Sequence, residues 1–129
     1  MSLNQFKVLI VDDDFSSRRL LSRHIASKWS VRILEAQEGS EALRLISKER
    51  PNLVVLDMVM PFMGGLEVLK VLRANAKLRS IPVVACTSVD DKDTVAQILK
   101  SGVDDYVVKP FDKKILLRKL ARFISVSPR

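Results

Sequence analysis

At 129 residues the chain has the size of one domain, and a composition of 47% hydrophobic and 29% charged residues excludes a disordered or fibrous protein. A single cysteine, Cys86, excludes an internal disulfide and fits a reducing, cytoplasmic compartment. No apolar run approaches the roughly 20 residues that span a bilayer, and the N-terminus lacks the basic-then-apolar profile of a secretion signal. The formal net charge of +7 points toward acidic partners. The basic residues are spread along most of the chain, however, so the surplus reads as a solvated basic surface.

Residues 1–5 read as an unstructured leader. Lys7 to Val11 is a strand that runs straight into Asp12-Asp13-Asp14. Ser16 to about Lys28 reads as a helix with an apolar stripe of Leu20, Leu21, His24 and Ile25, and with Asp14 or Ser16 as its cap. Trp29 is expected to pack at its end. Val31 to Ala36 is a second strand. Glu38-Gly39-Ser40 is a turn, with Ser40 capping a helix from Glu41 to about Lys48. Pro51-Asn52 breaks the chain before Leu53-Val54-Val55-Leu56, a buried strand that stops on Asp57. Pro61 and Gly64-Gly65 turn the chain there, and Gly65 opens a third helix through Leu66, Val68, Leu69 and Leu72, fading near Asn75.

Ile81-Pro82 introduces Val83 to Cys86, which ends on Thr87-Ser88. Asp90-Asp91 precede a helix through Val95, Ile98 and Leu99, closed by Gly102. Tyr106 to Val108 is a fifth short strand, ending on Lys109-Pro110. Asp112 caps a last helix through Ile115, Leu116, Leu120 and Phe123 to about Ile124, and the polar tail 125–129 is expected to fray. Strand and helix thus alternate through five units of one domain. That pattern implies a parallel sheet with helices on both faces, and we adopt the flavodoxin-like, doubly wound strand order 2-1-3-4-5.

In such a sheet every strand's carboxyl end lies on one edge, where ligands bind. That edge would gather Asp12 and Asp13, Asp57, Thr87 and Lys109. Two unit charges roughly 4 Å apart repel by about 4 kcal/mol at an effective dielectric near 20. Three carboxylates therefore need more than one lysine. A hard divalent cation is the natural supplement, and Mg²⁺ uses one or two carboxylates together with waters and phosphate oxygens. The chemistry that fits is phosphoryl transfer to a carboxylate, forming an aspartyl phosphate, with a metal and a lysine spreading the charge.

The residues Val11-Asp12-Asp13, Leu56-Asp57-Met58-Val59-Met60-Pro61, Thr87-Ser88 and Tyr106-Val107-Val108-Lys109-Pro110-Phe111 resemble the receiver domain of bacterial two-component response regulators, the chemotaxis regulators among them. The resemblance covers the chain from about Lys7 to Phe123. It implies that Asp57 is the phosphoacceptor, that Asp12, Asp13, Asp57 and the backbone carbonyl of Val59 hold Mg²⁺, and that Thr87 and Lys109 contact the phosphoryl group. It also implies a cis Lys109–Pro110 bond and a switch in which Tyr106 turns inward as Thr87 moves. The implied partners are a histidine kinase or phosphotransfer protein and a downstream effector or fused output domain. A homodimer through the fourth helix, fifth strand and fifth helix is compatible with it; no membrane is involved, and nucleic acid enters only indirectly. The chain would assist its own phosphorylation and dephosphorylation without being an enzyme otherwise.

Two departures stand out. Gly64 occupies a position where many members carry Asp or Asn, and Val59 places no polar side chain beside the site. The rival readings are a Mg²⁺ phosphohydrolase of the haloacid dehalogenase type and a basic nucleic-acid-binding module. The first wants an Asp two residues after the nucleophile, where this chain has Val59. The second draws on Lys113, Lys114, Arg118, Lys119 and Arg122 of the last helix, but no helix-turn-helix is readable.

Overall fold

The computed structural model describes residues 5–88 and 92–129. Five strands, β1 (Lys7–Val11), β2 (Arg32–Ala36), β3 (Leu53–Asp57), β4 (Val83–Thr87) and β5 (Asp105–Val108), alternate with five helices, α1 (Phe15–Lys28), α2 (Gly39–Glu49), α3 (Gly65–Ala74), α4 (Lys92–Lys100) and α5 (Lys113–Ala121). The strands form one parallel sheet in the order β2-β1-β3-β4-β5, as expected. Asp90 and Asp91, read as preceding the fourth helix, and most of the leader lie outside the described residues.

The sheet is covered on both faces, which is why its central strands are apolar at successive positions rather than at alternate ones. Leu9, Val11, Val54, Leu56, Val83 and Ala85 point to one face and pack with Ala42 and Ile46 of α2, Val68, Leu69 and Leu72 of α3 and Ile98 of α4. The intervening Val8, Ile10, Leu53, Val55, Val84 and Cys86 point to the other and pack with Leu21 and Ile25 of α1 and Leu116 and Leu120 of α5. Trp29, immediately after α1, is buried in this second layer.

Three local expectations are corrected. Ser40 does not cap α2. The helix starts at Gly39 with Glu38 at the cap, and the Ser40 hydroxyl donates to Glu38 at 2.8 Å. Leu20 leaves the buried stripe of α1 and is 41% exposed, because Leu21 and Ile25 already fill the surface that faces the sheet. The tail 125–129 does not fray. Arg129 donates its backbone N–H to the Lys28 carbonyl at 2.7 Å and its Nε–H to the Ala26 carbonyl at 2.8 Å, satisfying carbonyls at the C-terminal end of α1, and Pro128 bridges to Trp29.

Candidate functional site

β1 and β3 are neighbours, with Val11 registered on Leu56, so Asp12 and Asp57 leave the sheet side by side. β3 and β4 set Asp57 opposite Cys86, and β4 and β5 set Thr87 opposite Val108, one residue short of Lys109. Four strand ends therefore deliver the predicted set to one rim. Asp12, Asp57 and Thr87 are buried, Asp13 is exposed, and Lys109 is half-buried. Carboxylate oxygens of Asp12, Asp13 and Asp57 lie within 4.8 Å of one another. The Lys109 Nζ donates to Asp12 Oδ2 at 2.7 Å and to Asp57 Oδ2 at 3.4 Å.

The backbone fixes these side chains in place. Asp12 Oδ1 accepts the Asp14 N–H at 2.9 Å, and Asp57 Oδ1 accepts the Val59 N–H at 3.1 Å. Asp14 caps α1, receiving N–H bonds from Ser16 and Ser17. Gly65 lets α3 begin hard against the site: a Cβ there would meet the Asp57 carbonyl oxygen at 2.5 Å and the Met58 Cα at 2.8 Å. The bond between Lys109 and Pro110 is cis, as the resemblance implied. Val59 is 67% exposed, and its side chain offers the carboxylates no polar group. Gly64 would accept a Cβ at ordinary contact distance, 3.5 Å from the Met58 carbonyl oxygen.

Burial pushes the Asp57 carboxyl up to about 6; the Val59 N–H opposes the shift, Asp12 adds to it, and Lys109 pulls back. For Lys109, burial works against the ammonium, but the hydrogen bond to Asp12 and the two carboxylate charges outweigh it and hold the group above its usual value. Burial thus favours the protonated form of Asp57, and the one nearby ammonium does not supply enough positive charge to offset it. A small dication added near Asp12, Asp13 and Asp57 would relieve the shortage, and an all-oxygen donor set of this kind suits Mg²⁺.

Sequence reasoning missed Arg18. Its Nη1 donates to the Asp12 carbonyl at 2.7 Å while its Nε pairs with Glu35 at 3.2 Å, tying the acidic loop to α1 and β2. The available signal was its place four residues after the capping Asp14, on the first turn of α1. Tyr106 sits half-buried on β5, with the Lys119 ammonium 4.3 Å from its ring centre and bonded to its carbonyl at 2.6 Å. Cys86 is buried, and burial pushes its thiol up, so it is inert.

Fold and rim together define a flavodoxin-like α/β module with one buried acidic centre at the carboxyl edge of its sheet. The family model described as the response regulator receiver domain matches residues 8–121, and the chain belongs to that family. It is 41% identical over 125 residues to the probable transcriptional regulator ycf27 of Cyanophora paradoxa, covering 95% of this chain and 51% of that protein, so the chain spans about half of that relative's length. It is 37% identical over 115 residues to a chemotaxis protein CheY homolog of Campylobacter jejuni, covering 88% of each. Among solved structures, the chemotaxis response regulator CheY4 of Vibrio cholerae superposes with a TM-score of 0.85 at 29% identity, covering 94% of this chain and 100% of that one. No helix among the described residues is long and apolar enough to cross a membrane.

Proposed function

We propose that the protein is a phosphorylation-driven signalling switch whose acceptor is Asp57. The observation that carries this reading is the charge arrangement of the rim, with three carboxylates gathered within 4.8 Å and a single ammonium bridging two of them. In the transfer, an Asp57 oxygen attacks the phosphorus of a phosphohistidine on a histidine kinase or phosphotransfer protein. An O–P bond forms, the donor's N–P bond breaks, and the imidazole leaves with its electron pair and takes up a proton. Lys109, already charged and 3.4 Å from Asp57, screens the incoming oxygens. Thr87, buried at the end of β4, offers its hydroxyl to the phosphoryl group. Asp12, Asp13, Asp57 and the Val59 carbonyl would hold Mg²⁺, which neutralises charge on the transferring group when bound.

A phosphoryl group adds a charge of about −1.5 to −2 at Asp57. Lys109 and Thr87 are drawn toward it, Tyr106 repacks, and the surface of α4, β5 and α5 shifts between two packings. Val59 brings no polar side chain to the buried acceptor, and the residue at that position bears on the lifetime of the phosphorylated state. The haloacid dehalogenase reading is not proposed, since Val59 cannot supply that chemistry's second carboxylate.

The test is labelling by acetyl phosphate, read by intact mass. The wild type is expected to gain one phosphoryl group in Mg²⁺ and none in EDTA, and Asp57→Asn to gain none in either. Labelling of Asp57→Asn at the wild-type level would assign the acceptor elsewhere.

A further inference from the structure

The basic residues, dispersed in sequence, are gathered by the fold. α1 and α5 lie side by side on the same face of the sheet, sharing the core of Leu21, Ile25, Leu116 and Leu120. With the Arg122 that caps α5, these two helices carry nine of the 22 basic residues and none of the 15 acidic ones. The remainder of the chain holds 13 basic residues against 15 acidic ones, so the whole positive surplus belongs to this layer.

Some of these cations are used internally: Arg18 pairs with Glu35, and Lys119 and Arg122 pair with Asp105. Arg19, Arg23, Lys113, Lys114 and Arg118 are exposed, and among the described residues none of them has a carboxylate within ion-pairing distance. Arg19 and Arg23 stand one turn apart on α1, as do Lys114 and Arg118 on α5, a rise of about 6 Å in each case. The two rows follow helices whose axes pack roughly 8–10 Å apart. Lys113 connects them, since it is the charge that, after burial, holds the α1 imidazole of His24 below its ordinary value.

We infer that the α1–α5 layer is a binding surface for the phosphate backbone of a nucleic-acid duplex. A duplex presents one charge per ~1.7 Å of its axis whatever its sequence, so two cation rows free of any carboxylate match it without a tailored partner. An acidic protein would have to place its carboxylates residue by residue. A single strand would need exposed rings on which to stack, and the one exposed ring at this face, Phe15, is already flanked by the guanidinium groups of Arg18 and Arg19 at 5.6 and 5.9 Å. A lipid surface would need a continuous apolar face to insert, whereas the exposed apolar side chains of this layer, Phe15, Leu20 and Ile115, are interspersed with the exposed Arg19, Arg23, Lys113, Lys114 and Arg118. The contact is sequence-independent, because no element here is shaped to enter a groove and read base edges.

The experiment is fluorescence anisotropy of a labelled mixed-sequence 20-base-pair duplex titrated with the full chain at several salt concentrations. Binding is expected in the range of about 10⁻⁴–10⁻⁶ M, weakening roughly 10²–10³-fold between about 50 and 200 mM salt, as neutralisation of four to five phosphates requires. The variant R19Q/R23Q/K114Q/R118Q should bind at least ten-fold more weakly with a visibly shallower salt dependence. A control with the same loss of charge on the opposite layer, R44Q/K48Q/K70Q/K77Q, should stay within about three-fold of wild type. Absence of wild-type binding at the lowest salt overturns the inference, as does an equal loss in the two variants. Tighter binding to the single strand, to polyglutamate or to phosphatidylserine vesicles would reassign the surface to that class of partner.

Discussion

The two rims of the same sheet treat charge in opposite ways. At the amino-terminal rim, charges and polar groups are matched by neighbours. Glu49 receives Lys7 at 3.3 Å and Arg32 at 3.2 Å, and the hydrogen bond from Lys7, followed by the surrounding cations, holds its carboxyl below the usual range. Arg73 donates to the carbonyls of Gly102, Arg79 and Ile81 and pairs with Asp104, whose Oδ2 also accepts the Val83 N–H at 2.8 Å. At the carboxyl rim, three carboxylates gather around one ammonium that bonds only Asp12 and Asp57, and burial pushes Asp57 up to about 6. One rim stitches the starts of strands to the loops that precede them. The other keeps an unbalanced charge buried and tolerates the cost, as a site awaiting a cation and an anion does.

This contrast can be broken first at the rim that carries it. Lys109→Ala removes the only ammonium bonded to Asp12 and Asp57 among the described residues and should slow acetyl phosphate labelling by roughly 10²–10³-fold, the usual loss for one preorganised charge-stabilising donor. A rate within three-fold of wild type would place the screening charge elsewhere. The opposite rim should respond in stability alone. Arg73→Ala strips hydrogen bonds from three carbonyls and one carboxylate and is expected to destabilise by about 2–3 kcal/mol in urea unfolding, with the labelling rate of the folded protein unchanged.

Asp57→Asn sharpens the comparison through pH. The folded pKa, about 6, lies above the unfolded value of about 3.8. Between those values the unfolded chain has released the proton and the native chain still holds it, so native stability falls as pH rises through that window and levels off above it. In EDTA, the Asn variant should therefore be more stable than wild type by about 1–3 kcal/mol at pH 8, with the gain gone below about pH 4. A gain that grows toward low pH would reverse the sign of the argument. The smallest effect belongs to the other rim. Lys7→Met breaks a partly exposed pair and should lower the urea midpoint only slightly at about pH 7, with that small cost fading as pH falls below 4.5, the ordinary value from which Lys7 lowers Glu49.

The carboxyl rim was legible because each of its members closes an apolar run. Four strand ends in a parallel sheet can only meet at one edge, whereas the order 2-1-3-4-5 is adopted from the flavodoxin-like pattern, because alternation and a shared crossover hand equally allow an order such as 3-2-1-4-5. The amino-terminal rim was not legible. Arg73 and Asp104 are separated by 31 positions, and Lys7 and Glu49 by 42, and nothing local marks either pair. The tail misled for the same reason: a polar, proline-containing end reads as loose until the exposed carbonyls of α1 are seen beside it. Ser40 misled differently, since Glu38 two residues earlier competes for its hydroxyl and the helix begins two residues sooner than the cap rule places it. The basic surplus read as dispersed because α1 and α5 stand at opposite ends of the chain, and only their packing joins the two runs.

The most direct measurement is an NMR titration of the Asp57 side-chain carboxyl carbon, with and without Mg²⁺. A buried carboxylate short of positive charge predicts a midpoint near 6 in EDTA and a fall of at least one unit when Mg²⁺ is present. A midpoint near 4 under both conditions would contradict the account, because the rim would then hold no charge imbalance for a cation to relieve.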